Sequence, residues 1–305
     1  SSVGPTSDSE ANILWQNGIK AYEDEKYSAA AYSFERIVDR YPGHEHYLES
    51  HHLLGVSEFL SGNYKKAVMP LKAFITFAHD RDKSLTSRFY LIRSYLALEQ
   101  YQEALLSSIE LMKKTNAPEA LLLKTHSLLG LKRDHEALKT LSSYDLVNTI
   151  ETQKLKPEAL FLHIQIKLRE CAKLSEQGKP LSESRARGQM QERGQCLLES
   201  LVLYRSVSLT AGTDWIKKGQ TQISGGYDSY MRTCKNPPPP PGKLAKAELA
   251  RYKSELADIL IKDCDATLRR GLFLLETWKQ EVPESAKNNI DELILKVRAN
   301  HAPST

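Results

Sequence analysis

The sequence has no long apolar segment, so no membrane-spanning helix is predicted. A span needs about 18 consecutive apolar residues, whereas the apolar clusters at 121–123 and 272–275 are interrupted by charges within a turn. It also lacks an excess of one charge, since 42 basic and 38 acidic residues leave a net charge of +4. Nucleic-acid-binding proteins usually carry a basic stripe, so we expect no nucleic-acid partner.

Motifs of catalysis and metal binding are also missing. The chain contains no Gly-x-Ser-x-Gly, no phosphate-binding glycine loop and no His-Glu-x-x-His. The densest group of metal-ligand types is His44, His46, His51 and His52 with neighbouring glutamates. Adjacent histidines on a helix point about 100° apart, which makes a shared site difficult. We therefore predict no enzyme activity, no cofactor and no metal.

The first residues contain neither a basic nor an apolar segment, so no signal peptide is predicted. The chain starts with Ser1 rather than methionine, which suggests that an upstream segment has been removed. Such a start is compatible with a mature exported protein. Residues 1–10 are predicted to form a flexible tail.

Glycine and proline are scarce outside a few positions, and the common residues are good helix formers, which predicts helix throughout. Within this helical pattern, short similar segments recur. Each contains an alanine, and the four alanines are separated by 37, 37 and 33 residues: Ala30, Ala67, Ala104 and Ala137. This spacing accommodates two helices and two short turns per unit.

The residues around these alanines support the repeat. Tyr27, Tyr64 and Tyr101 precede their alanines by three residues, where a ring at the start of the second helix can cover the inter-helix turn. Gly18 and Gly55 fall within first helices, where the missing side chain permits close approach of a neighbouring helix.

These motifs resemble the tetratricopeptide repeat family over about residues 11–145. The resemblance implies an all-α fold, a right-handed superhelical array of antiparallel helix hairpins, with four repeats in this range. The sequence departs from the family's repeat pattern at three positions. Ile92 and Thr125 replace the small residue of the first helix, and Asp134 replaces the tyrosine. The family implies a scaffold that binds other proteins.

The rest of the chain is predicted to be a helical extension. Residues 146–233 are expected to be helical and to include a candidate fifth hairpin, 234–242 a proline-rich spacer, and 243–301 a long helix followed by a capping helix. This half loosely resembles envelope-associated tetratricopeptide proteins of delta-proteobacteria, some of which serve motility or outer-membrane assembly. That resemblance implies a periplasmic or outer-membrane-associated protein, with the cytoplasm as the alternative.

All four cysteines lie in the second half of the chain: Cys171, Cys196, Cys234 and Cys264. Four cysteines permit three pairings. Hairpin geometry makes a Cys171–Cys196 bond conceivable, and Cys234 could then reach Cys264. The alternative is buried free thiols in a cytosolic protein.

The repeat frame also predicts which first-helix residues face a concave groove. These nine positions are mainly aromatic and aliphatic: Trp15, Ile19, Tyr22, His52, Val56, Phe59, Phe89, Arg93 and Leu96. Such a groove suits an amphipathic helix or an extended apolar peptide from a protein partner. The alternative is a structural subunit of a multi-protein complex, with its groove filled by its own C-terminal helices and its outer face used for assembly.

Overall fold

A computed structural model describes residues 7–175, 178–210 and 212–300, and these form helices joined by turns and, at 236–245, by a longer proline-rich segment. Helix accounts for 81% of the described residues, and no strand occurs among them. The all-α hairpin fold is therefore confirmed. The predicted flexible tail is wrong for residues 7–10, which begin the first helix. Acidic Asp8 and Glu10 favour this start because they lie near the positive end of the helix dipole. Residues 1–6 lie outside the described residues.

The first compact unit extends to Val147 and consists of four successive helix pairs. Its helices are α1 (Ser7–Glu23), α2 (Tyr27–Arg40), α3 (Tyr47–Leu60), α4 (Tyr64–Phe77), α5 (Arg81–Ala97), α6 (Tyr101–Met112), α7 (Pro118–Gly130) and α8 (Asp134–Asp145).

The repeat alanines occupy the packed centres of these pairs, since all four side chains are completely buried. The two repeat glycines lie where helices approach closely. A Cβ atom added to Gly55 would lie 2.5 Å from Cγ of Leu71, and one added to Gly18 would lie 2.7 Å from the Phe34 ring. The predicted role of both glycines in close packing is confirmed.

All four hairpins share a turn that the sequence motif did not reveal. Its central residue adopts a positive φ in every repeat: Glu25 (58°), Gly62 (80°), Glu99 (57°) and Lys132 (59°). In each turn the next residue donates its backbone N–H to a carbonyl five residues earlier, as from Lys26 to Ala21. This left-handed cap ends each first helix and directs the chain into the second.

The second compact unit begins at Asn148. Its helices are α9 (Ile150–Lys173), α10 (Glu183–Thr210), α11 (Thr213–Lys235), α12 (Lys246–Trp278) and α13 (Glu284–Ala299). Helices α9 and α10 pack against each other, and α11 packs against both α10 and α12. The core of this unit contains three completely or almost completely buried tyrosines, Tyr204, Tyr227 and Tyr230.

The predicted proline-rich spacer differs from the observed structure in two ways. Helix α11 continues to Lys235, so residues 234 and 235 are helical. The prolines that follow are packed against their own unit, because Leu181 donates its backbone N–H to the carbonyl of Pro239 at 3.0 Å and Pro240 is buried. A spacer would leave these groups in solvent.

Two disulfides join helices of the second unit. Cys171 and Cys196 connect α9 to α10 with their Cα atoms 5.5 Å apart, and Cys234 and Cys264 connect α11 to α12 at 6.5 Å. The described residues include no free cysteine. The structure therefore adopts the two pairings that hairpin geometry made conceivable, in place of buried free thiols.

Candidate functional site

The candidate site is the first-helix face, which we define as the surface formed by α1, α3, α5 and α7 in the first unit. Helix α3 contacts α5, and α5 contacts α7, so the first helices of the second, third and fourth repeats lie side by side. All nine predicted contact residues belong to α1, α3 and α5. Their individual environments differ.

Trp15 and Ile19 lie at the N-terminal end of the unit and are partly exposed. The indole ring of Trp15 stacks on His46, with centroids 4.1 Å apart and planes 10° apart, and meets the edge of Phe34 at 5.6 Å. His46 is therefore an aromatic partner of Trp15. Within the described residues, no group of three potential metal ligands comes together.

Five partly exposed rings form what we call the aromatic row: Tyr22, Tyr27, Phe59, Tyr64 and Tyr90. Tyr22 contacts Tyr27 with centroids 5.6 Å apart, and Phe59 contacts Tyr64 at 5.2 Å and Tyr90 at 5.0 Å. All three contacts are edge-on, the favourable arrangement for aromatic pairs. The contacts form two groups, a pair in the first repeat and a group of three rings that joins the second repeat to the third, and Tyr27 and Tyr64 begin the second helices α2 and α4.

Burial raises the pKa of the Tyr22 hydroxyl, and the neighbouring Tyr90 and Tyr27 raise it further. Burial likewise raises the pKa of Tyr90. Both hydroxyls therefore remain protonated at neutral pH and can donate hydrogen bonds beside an apolar ring surface.

An ion pair lies next to the aromatic row. Arg93 on α5 donates from both Nε and Nη2 to one oxygen of Glu119 on α7, at 2.9 and 2.6 Å. Both side chains are about 30% exposed. Arg93 thus joins two repeats and places polar groups beside the row.

Two of the nine predicted contact residues lie in the core, and for them the prediction is wrong. Val56 is 1% exposed and packs with the buried side chains between α3, α4 and α5. His52 is 8% exposed, with Nδ1 2.7 Å from Oγ of Ser87 and its ring 5.1 Å from Phe74. The repeat pattern assigns both residues to the correct helix, but side chains of α4 and α5 cover them.

Phe89 and Leu96 are partly exposed and pack against the same core with Phe59. Tyr90 contacts Phe59 directly, although the repeat frame had selected Phe89. Whether Phe89 or Tyr90 contacts Phe59 depends on how α5 is rotated about its own axis relative to α3. Only the packed structure defines that rotation.

The stability of the first unit should decrease as the pH falls below about 6.5, because burial lowers the pKa of His52 and of His51. A histidine with a lowered folded-state pKa binds fewer protons in the folded state, so acid favours unfolding. His52→Asn should reduce this pH dependence and retain hydrogen bonding to Ser87. Urea midpoints measured between pH 5 and 8 test this, and an identical slope in both proteins would contradict it.

No helix in the described part of the chain has the length and apolarity required to cross a membrane. The pKa values of several core tyrosines are raised, but the cause is mainly burial, as for Tyr227. These shifts indicate packing and do not mark a reacting group.

No protein-family profile matches the sequence, and no curated protein matches it. Among solved structures, a tetratricopeptide repeat protein from Parabacteroides merdae is similar over 95% of this chain and 99% of its own, with 11% identity and a TM-score of 0.46. A likeness of this degree supports no conclusion about function.

Proposed function

We propose that the first unit is a non-catalytic protein-binding scaffold, and that its first-helix face holds an apolar helix or peptide of a partner. The observation that carries this proposal is the aromatic row, in which Tyr22, Phe59 and Tyr90 of three first helices are partly exposed and each meets another ring edge-on. Rigid aromatic side chains give large contact area at low entropic cost, and they dominate many protein interfaces.

The chemistry of the row defines the partner segment. Its aliphatic or aromatic side chains would pack on Phe59 and Tyr90, and its polar groups would accept hydrogen bonds from the tyrosine hydroxyls. The Arg93–Glu119 pair limits the apolar surface on one side. An amphipathic helix with apolar residues spaced three and four apart meets these requirements.

A second surface favours the alternative function, assembly through the outer face. Three large apolar side chains occupy equivalent positions two residues after the repeat alanines: Tyr32 (59% exposed), Met69 (70%) and Leu106 (56%). We call these the outer residues. Their regular spacing would suit a structural subunit that stacks against another component of a complex.

One experiment separates the two surfaces. Tagged full-length protein, Phe59→Ala/Tyr90→Ala and Met69→Ser/Leu106→Ser are each purified from the native cell, and co-purifying proteins are quantified by mass spectrometry. We expect the first variant to reduce recovery of a specific partner about tenfold or more, because hot-spot aromatics carry most interface energy. Circular dichroism confirms that each variant retains its helicity.

Loss of the same partner only in the Met69→Ser/Leu106→Ser variant would reject the first-helix face and support outer-face assembly. Equal recovery of every protein from all three samples and from a tag-only control would reject both functions.

We also propose that the protein resides in an oxidising compartment, the periplasm or the outer-membrane surface, where it could belong to a motility or assembly complex. Support comes from the two disulfides, which persist in such compartments and are rare in the cytoplasm. Trapping thiols in intact cells tests this proposal. Alkylation of all four cysteines without prior reduction would favour the cytoplasm.

A further inference from the structure

The second unit contains a buried arginine without a carboxylate partner. Arg193 on α10 is 4% exposed. Its Nη1 donates to the hydroxyls of Ser175 and Thr233, and its Nη2 donates to Ser229, all at 2.7 Å. These partners are neutral, and no acidic side chain among the described residues pairs with this guanidinium.

A buried charge with only neutral partners is costly, and proteins normally pair it. Other arginines of this chain follow that rule. Arg187 and Arg205 in the same unit, like Arg93 in the first, direct both Nε and Nη2 at a carboxylate. For Arg193, the three hydroxyls use three of its five N–H groups, which leaves Nε and one N–H of Nη2. The Nε–H, which forms part of the edge that binds carboxylates elsewhere, therefore makes no hydrogen bond to a described residue.

Arg193 lies in the wall of a groove between α9, α10 and α11, with a volume of about 450 Å³. The described residues lining this groove include Arg169 but no aspartate or glutamate. Leu168 and Leu197 form an apolar part of the wall, and Gly225 leaves space, since a Cβ atom there would meet nothing within 4 Å. The volume suits a small ligand.

We propose that this groove binds a small organic acid, with its carboxylate on the Nε–Nη2 edge of Arg193 and its aliphatic part against Leu168 and Leu197. A bidentate carboxylate would supply the missing counter-charge and use the two remaining N–H groups. All residues of this site belong to the second unit, so it shares none with the proposed protein-binding face.

The probe is isovalerate, a short branched carboxylate, titrated calorimetrically into the full-length disulfide-bonded protein. We expect a dissociation constant of about 1 mM or lower. Arg193→Lys should weaken binding about tenfold or more, because an ammonium cannot form the bidentate pair. The uncharged amide of the same acid should not bind measurably.

A second variant distinguishes loss of the binding site from misfolding of the Arg193→Lys protein. Gly225→Leu adds an aliphatic side chain to the groove wall at a position where a Cβ atom meets nothing within 4 Å, and it leaves Arg193 intact, so it should abolish binding. Gly188→Leu is the matched control. Gly188 also lies within a helix, meets nothing within 4 Å and does not line this groove.

Several outcomes would overturn the proposal. These are no isovalerate binding to the wild type, equal binding of the amide, or undiminished binding in Gly225→Leu. Binding of inorganic phosphate in place of isovalerate, lost in the same variants, would overturn the carboxylate assignment.

Discussion

Replacing Cys234 and Cys264 with alanine should lower the free energy of unfolding of the second unit by about 3.5 kcal/mol. This disulfide closes a loop of 30 residues and joins α11 to α12, so its loss increases the conformational freedom of the unfolded chain. Both cysteines are completely buried, so the substitutions also remove packed sulfur atoms.

The measurement is urea unfolding without reductant in a Trp15→Phe background. Of the three tryptophans, Trp215 and Trp278 remain, and both belong to the second unit. Reductant should destabilise the parent protein but leave a variant with all four cysteines replaced unaffected. Equal urea midpoints for the parent and the Cys234→Ala/Cys264→Ala variant would contradict the prediction.

Phe34→Ala should destabilise the first unit by about 3–5 kcal/mol. The Phe34 ring is completely buried among the side chains of α1, α2 and α3 and meets the edge of Trp15. It also lies directly over the backbone of Gly18. Since no side chain extends from that backbone, the cavity left by the ring cannot be filled from that side.

Unfolding is followed by Trp15 fluorescence in a Trp215→Phe/Trp278→Phe background. Tyr32→Ala is the matched control on the same helix, because Tyr32 is 59% exposed and its removal should cost less than about 1 kcal/mol. Gly18→Ala should destabilise the parent through its clash with the ring, yet recover part of the loss in Phe34→Ala by filling the cavity. Additive effects of the two substitutions would contradict the proposed contact.

The aromatic row and the groove at Arg193 were predictable to different degrees. Tyr22 and Phe59 were identified because they occupy equivalent positions in a recognisable repeat. Tyr90 was missed, since one residue of rotation on α5 decides whether it or Phe89 contacts Phe59. No sequence motif marks Arg193 as a binding residue. Its burial depends on Ser175, Ser229 and Thr233, which are distant in sequence and meet only in the folded unit.

The sequence by itself determined the repeat, because Ala30, Ala67, Ala104 and Ala137 recur at the spacing of a helix pair and helix propensity is a local property. Its periodic pattern also located the first helices and their aromatic residues. Tertiary packing decided which of these residues remain accessible: Val56 is covered by neighbouring helices while Phe59, three residues later, is partly exposed. It also decided that the prolines at 237–241 pack against their own unit. Burial and long-range contacts depend on helix rotation, which no short motif encodes.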